Sequence, residues 1–558
     1  MDRIRIVCLG GLDEFYKSCT LVEINDDIFV IECGLKFPDV TKPGIDYVIP
    51  RHDYLIENKH RIKAYILTYG HDSVIGGLPY IIKKAPAPVY CSDITKAFLD
   101  MFCTHNNLDI SGVEFHIVEP TSDFMIAGHK ISTFSTCTNI AKSFGVALDS
   151  DQGNIIYLGN CVFDNNKDTG FSLDIAQVAK ISASKPTLIM LQDSSYATHS
   201  GYTNPHYRLI DYIQKPLRDA QGRVFIALEA PDIYNVIAFI NEAIKNNRKI
   251  ICYDESTQDL VDVLIRTGCL KATKNNFLPM GEVNRARPQE VAVVMAAFGK
   301  KLFSRIALLA THQNDDQYLS LNANDTFIVA SHAENDSEIA ETNALNDLYR
   351  NDCKIIRISS KQFLKMHSSQ EDLKTAISIF RPRYYLPILG RLVDLFANAK
   401  VALRMNVGLN HNSVFVLDNG MILEIQNYLA KILPNKILTG NVLVDGKGIG
   451  DIASNVLEER QKFSDDGVII LAATISKSKR EIVLGPDIQT RGLVFVKESD
   501  SLLKEIEKVF VLNIKAELAK FNYSISYMEM TIKEQVFKLI RRVILKSPTI
   551  IPIIVEIE

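Results

Sequence analysis

Ala64-Tyr65-Ile66-Leu67-Thr68-Tyr69-Gly70-His71-Asp72-Ser73-Val74 runs from an apolar stretch into a tight polar loop. The apolar run Ala64 to Leu67 predicts a short buried strand. Ile75 to Lys84, which opens with two glycines, predicts a helix. A strand end that feeds a polar loop and then a helix is a common place for chemistry in α/β folds.

Around this loop, residues 1 to about 200 read as many short strands with few helices. Arg3 to Leu9, Thr20 to Ile24 and Ile28 to Glu32 are apolar or alternating runs, and Asn25-Asp26-Asp27 between two of them signals a hairpin. Phe115 to Val118, Lys130 to Phe134, Phe144 to Leu148, Ile155 to Leu158 and Leu188 to Leu191 continue the pattern. From about residue 205 strands and helices alternate, as in a parallel α/β domain. Gly222 to Ala227 and Lys249 to Tyr253 read as strands, with helices at Asp232 to Lys245 and Gln258 to Arg266. Arg305 to Thr311 and Thr326 to Ser331 are expected as further strands. Lys354 to Ser359, Thr375 to Phe380 and Tyr384 to Leu389 then return to the first domain. Asp418-Asn419-Gly420 predicts a hairpin between Val414 to Leu417 and Met421 to Glu424. The last hundred or so residues read as a small unit with strands at Gly467 to Thr474, Glu481 to Leu484 and Thr549 to Ile557. Two amphipathic helices, Leu502 to Phe521 and Thr531 to Lys546, lie between them.

The 558 residues exceed what one core holds and predict about three or four domains. A formal net charge of −4 rules out a global basic field, so any nucleic-acid contact must be a local one. There is no apolar run long enough to span a bilayer and no signal-peptide pattern, so a cytoplasmic chain with no membrane partner is expected. The ten cysteines form no C-x-x-C pair and read as buried thiols.

The loop resembles the metallo-β-lactamase signature H-x-H-x-D-H. Further segments resemble ribonuclease J, of the β-CASP branch: I-V-C-L-G-G-L-D-E near the start, F-P-D-V-T-K-P-G-I-D-Y-V-I-P (37–50), and Leu191 to Ala197. M-H-S-S-Q-E-D-L (366–373), V-L-V-D-G-K-G-I-G-D-I (442–452) and G-P-D-I-Q-T-R-G-L-V-F-V-K-E-S (485–499) continue the match in order. The resemblance implies an αββα metallo-β-lactamase sandwich with an inserted parallel α/β β-CASP domain and a small α+β C-terminal domain. The implied boundaries are 1–203 for the first part of the lactamase domain, 204–352 for the insert and 353–425 for the second part. A linker at 426–445 and a C-terminal dimerisation domain at 446–558 follow. The family acts as a 5′-to-3′ exoribonuclease and endoribonuclease, using two zinc ions to activate water.

Residue by residue, the match shows loss of ligands. Tyr69, Ser73 and Val74 stand where the signature has His, Asp and His, and His71 is kept. Thr138 replaces a His, Asn160 the bridging Asp and Leu389 the last His. Val74 and Leu389 donate nothing to zinc, and Ser73, Thr138 and Asn160 are poor neutral ligands. A substitute site from His71, Asp72, Cys137 and Cys161 is conceivable, but adjacent strand positions face opposite ways. No bound zinc is therefore expected, with His71 as the residual candidate. The RNA-backbone stretch of the family corresponds to Phe363, Leu364, Lys365, Met366, His367, Ser368 and Ser369, with Asp193, Ser194 and Ser195 beside it. Hydroxyls and an imidazole suit phosphate oxygens, but the same residues also cap helices and turns. Met366 stands where the family has glycine.

Three readings follow. The first is a catalytically impaired subunit acting on RNA beside an active ribonuclease J paralogue, as a homodimer or heterotetramer and within an RNA degradosome. The second is an active ribonuclease with a remodelled metal site, and the third a stand-alone RNA-binding protein.

Overall fold

A computed structural model describes residues 1–39, 42–163, 170–203, 209–313, 319–333, 337–358, 366–446, 448–450, 454–493 and 499–558. The chain divides into two compact units. The first holds Met1–Phe37 and Tyr47–Val442, the second Pro38–Asp46 and Leu443–Glu558.

The first unit is built on two facing sheets. One runs Leu429–Lys436, Met421–Gln426, Ile4–Gly10, Cys19–Ile24, Asp27–Ile31, Ile62–Leu67, Val89–Cys91, Phe115–Ile117. The other runs Tyr384–Ile388, Thr187–Asp193, Gly153–Gly159, Phe144–Ser150, His129–Ser135, Ser122–Ile126. Alternating inward residues such as Ile4, Ile6, Phe29, Ile31, Ile66, Val146, Leu148, Ile155, Ile189 and Leu191 form the core between them. A second core, with Phe134, Met190, Ile377 and Phe380, lies between the second sheet and the helix Gln370–Phe380. This is the metallo-β-lactamase sandwich.

The insert is a five-stranded parallel sheet in the order Lys249–Cys252, Val291–Ala297, Val224–Glu229, Thr326–Ala330, Lys354–Arg357. Its last strand pairs Thr326 with Lys354, so the sheet reaches past residue 352. Arg305 to Thr311, expected as a strand, belongs instead to the helix Lys300–Ala310. Leu302, Phe303, Ile306, Leu309 and Ala310 are buried at helical spacing, and the period decides over the apolar count. Val291–Ala297 is the buried strand that fills the place.

Two other expectations are corrected. Ile75 to Lys84 is not one helix: Asp72–Ile75 and Leu78–Ile81 are separate short turns. Backbone groups there bond sideways, Leu35 N to Asp72 O at 3.0 Å and Gly77 N to Cys33 O at 2.8 Å. The hairpin expected at Asn419-Gly420 forms one strand later. Met421–Gln426 pairs with Leu429–Lys436 across Asn427 and Tyr428, both at positive φ (50° and 60°), as a two-residue turn of this hand requires. The segment expected as a linker therefore contributes a strand.

The second unit has a sheet in the order Glu481–Arg491, Val468–Ser476, Thr549–Ile557, with Ser499–Leu518 and Ile525–Ile544 as its two long helices. Phe510, Ile514, Ile532 and Val536 bury against Ile469 and Leu471. Among the described residues no helix is long and apolar enough to cross a membrane. All ten cysteines are free thiols, eight of them buried.

One residue holds the insert's strand edges together. Arg248, 3% exposed, donates to the carbonyls of Leu217 (2.6 Å), Ala220 (2.7 Å), Gly222 (3.0 Å) and Val291 (3.0 Å). Burial lowers its pKa to about 10, still charged at neutral pH. Arg248→Ala strands four acceptors and is expected to cost about 3 kcal/mol or more in urea unfolding. Arg248→Lys should recover only part, because an ammonium cannot span four carbonyls. An alanine variant unfolding within about 0.5 kcal/mol of wild type would refute this role.

Candidate functional site

Strands of the second sheet run in parallel register to a common edge. Gly159 pairs with Gln192, and Asp193 with Ile388, so Asn160, Asp193 and Leu389 emerge side by side. The loop after Ile62–Leu67 of the first sheet reaches the same place. A cavity of about 280 Å³ opens there between the sandwich and the insert. Of the residues singled out from sequence, Tyr69, His71, Ser73, Asn160, Leu389, Asp193, Ser195, Met366 and His367 line it. Val74, Thr138, Ser194, Ser368 and Ser369 do not. Phe363, Leu364 and Lys365 lie outside the described residues.

His71 caps the turn Asp72–Ile75. Its Nδ1 accepts from the Ser73 backbone N–H at 3.0 Å and lies 2.7 Å from Ser73 Oγ. With Nδ1 accepting, the neutral ring carries its proton on Nε2. The Tyr16 ring stacks beside it at 6.0 Å and 14°. Thr138 is turned into its own loop, donating to Ile140 O and accepting from Ile140 N. Leu389 keeps a left-handed backbone, φ 56°, and its carbonyl accepts from Ser194 N at 3.0 Å. Asp72 is not among the lining residues, and Cys137 and Cys161 are buried in the core beneath the second sheet.

The Asp193 carboxylate, 1% exposed, is fully engaged. Oδ1 accepts from Ser195 N (3.0 Å) and Ser195 Oγ (2.6 Å), and Oδ2 from His367 Nδ1 (2.7 Å). The pair thus fixes the His367 ring and leaves Nε2 as its other nitrogen. Ser369 makes a capping box with Asp372 at the head of Gln370–Phe380, and Ser368 donates to Cys161 O. These two serines serve structure, while Asp193, Ser195 and His367 form one hydrogen-bonded cluster on the cavity.

Sequence reasoning missed Glu32. It ends the strand Asp27–Ile31 at φ 65° and is fully buried on the cavity wall. Oε1 accepts from Thr68 Oγ1 at 2.6 Å. Burial raises its pKa, while the hydroxyls of Ser18, Thr68 and Tyr157 oppose the rise. Burial, then the Glu32 and Asp193 charges, holds the Tyr69 phenol well above its ordinary range, so it stays protonated. A charged residue closing the apolar run Ile28 to Ile31 was the available signal. Phe15, Tyr16, Phe298 and Glu229 also line the cavity and carried no such signal.

Comparison with known proteins finds two family models: Ribonuclease J, beta-CASP domain over residues 221–348, and Ribonuclease J C-terminal domain over 455–557. The chain is 30% identical over 556 residues to Ribonuclease J 2 of Staphylococcus aureus (strain MRSA252), covering 99% of this chain and 98% of that one. The chain belongs to the ribonuclease J family. Ribonuclease J2 of Bacillus subtilis (strain 168) is likewise 30% identical, over 100% of this chain and 99% of that one. A crystal structure of a protein of unknown function from Enterococcus faecalis V583 superposes with a TM-score of 0.50 at 12% identity. It covers 79% of this chain and 100% of that one, and speaks to fold alone.

Ribonuclease J chemistry rests on paired zinc ions, and the donors present here do not fit them. Among the described residues no three His, Cys, Asp or Glu side chains converge. Leu389 brings a hydrocarbon to the cavity, Tyr69 a protonated phenol and Asn160 an uncharged amide.

Beside the loop, burial pushes the Asp72 carboxyl up from the ordinary 3.8 to about 6. A carboxyl with a raised folded-state pKa binds protons more readily when folded. Its contribution is most favourable at low pH and declines as pH rises from about 4 to about 6. Asp72→Asn escapes this decline. Its stability relative to wild type should grow by on the order of 1–2 kcal/mol between pH 4 and pH 7, a value discounted for the residue's partial exposure. Urea unfolding at the two pH values measures the difference, and an unchanged gap would contradict it.

Proposed function

We propose that this ribonuclease J family member serves RNA processing and decay as a catalytically impaired subunit beside an active paralogue. The observation that carries the reading is the cavity itself. The strand register brings the ligand-bearing edges together, yet of the seven expected ligand positions only His71 keeps its donor. A two-metal site works by clamping attacking and leaving oxygens between cations, and one imidazole among seven positions is too few donors to hold a pair of them. The family's scaffold is retained from end to end, including the C-terminal domain. That balance suits a chain whose work is assembly: a homodimer or a heterotetramer with the active paralogue, in the cytoplasm, joined to RNA and to an RNA degradosome.

The purified chain is expected to bind substoichiometric zinc by elemental analysis and to leave 5′-monophosphorylated RNA intact. Added to an active paralogue, it should form a complex by size-exclusion chromatography with light scattering. Zinc-dependent RNA degradation by the chain alone, lost on His71→Ala, would overturn the proposal.

One observation favours a second reading, an active ribonuclease with a remodelled site. Asp193 and His367 keep a hydrogen-bonded geometry able to deliver a proton. On that reading RNA cleavage by the chain alone would disappear in His367→Ala, with a pH–rate profile that Asp193→Asn shifts.

A further inference from the structure

The cavity's charge is at odds with an RNA phosphate. Its wall carries three carboxylates, Glu32, Asp193 and Glu229. Arg391, on the same wall, is already paired with Asp394 at 3.0 Å and lies over the Phe15 ring. A phosphodiester drawn inside therefore meets these carboxylates, while the Arg391 charge is already engaged by Asp394.

Two independent observations point to a positively charged ligand instead. Oε2 of Glu32, on a side chain 0% exposed, makes no hydrogen bond among the described residues, and neither does Oδ1 of Asn160, 5% exposed. Both residues line the cavity, and both orphaned atoms are acceptors. Buried acceptors in native proteins are normally paired, so two orphans of one polarity on one cavity call for a donor. The second observation is aromatic. Tyr16 and Phe298, in edge contact at 6.3 Å, line the cavity together with Tyr196, and ring faces attract cations. A bare metal ion is poorly served, because no three ligating side chains converge among the described residues. An alkylammonium needs only a carboxylate, an amide oxygen and ring faces.

We infer that this cavity binds an aliphatic polyamine, one ammonium held by Glu32 and Asn160 and the methylene chain lying along Tyr16 and Phe298. A volume of about 280 Å³ is at the small end for ligand pockets and suits an unbranched chain. The inference concerns the isolated chain and does not depend on its part in an RNA-degrading assembly.

Isothermal titration calorimetry of spermidine into the purified full-length chain, at physiological salt and without RNA or partner, tests it. One saturable site per chain is expected. Glu32→Gln, close to wild type in shape, should weaken binding about tenfold or more, and Phe298→Ala, on the insert side, should weaken it too. Asn160→Asp, which adds a charge beside the ammonium, should tighten it. Absence of saturable heat would overturn the inference. So would equal affinity in wild type, Phe298→Ala and Asn160→Asp, which carry the test should Glu32→Gln fail to fold. Uptake of two zinc ions per chain in place of spermidine would overturn it as well. Because neither RNA nor paralogue is present, a negative result leaves the assembly role standing.

Discussion

The parallel register of three strands governs this molecule. Gly153–Gly159, Thr187–Asp193 and Tyr384–Ile388 lie side by side with their C-terminal ends level, and a shift of one residue would turn each inward side chain outward. Both faces of these strands are buried, in the sandwich core and in the core beneath Gln370–Phe380, which locks the strands in place along with the register irregularities between the first two. The loops leaving these strands therefore arrive at the same edge whatever residues they carry. The shape of this edge is set by the strands and not by the chemistry of the residues it presents. Asn160 and Leu389 occupy positions dictated by the core behind them, not by any ion in front.

How the two buried carboxylates of this wall are accommodated is then a matter of local physics. Glu32 accepts a hydrogen bond from the Thr68 hydroxyl at one oxygen and none at the other among the described residues. Asp193 has solved the same difficulty differently, by collecting two hydrogen bonds from Ser195 and one from His367. One buried carboxylate is fully satisfied and the other only half so. This contrast gives the cavity its polarity, and it separates the part of the site that still looks like RNA chemistry from the part that does not.

Much of this was legible in the sequence. The strand-rich first part, the parallel insert and the C-terminal unit followed from period and turn residues, the sandwich from the family resemblance, and the run Thr549 to Ile557 is a strand over the expected residues. The closeness of Asp193 and His367 followed only from family resemblance, since 174 positions separate them. Errors arose where a tertiary contact outvoted local pattern. Arg305 to Thr311 is apolar enough for a strand, but its burial follows the helix it belongs to. Asn419-Gly420 looks like the hairpin turn, yet Gly420 N bonds to Cys8 O and the chain turns back at Asn427-Tyr428. Glu32 was hidden because a single acid after an apolar run looks like a strand end meeting solvent, and only the fold shows that it is buried.

Leu389 deserves a last word for its backbone. A leucine at φ 56° holds a conformation that side chains with a β-carbon avoid, at a cost of about 1–3 kcal/mol. Nothing about an aliphatic side chain calls for it; the bond from Ser194 N to its carbonyl and the adjoining Gly390, at φ 143°, hold it there. The peptide geometry of this loop is thus set by main-chain bonding and by Gly390, independent of the side chain that position 389 carries. A different side chain at 389 would accordingly need no rebuilding of the turn that presents it.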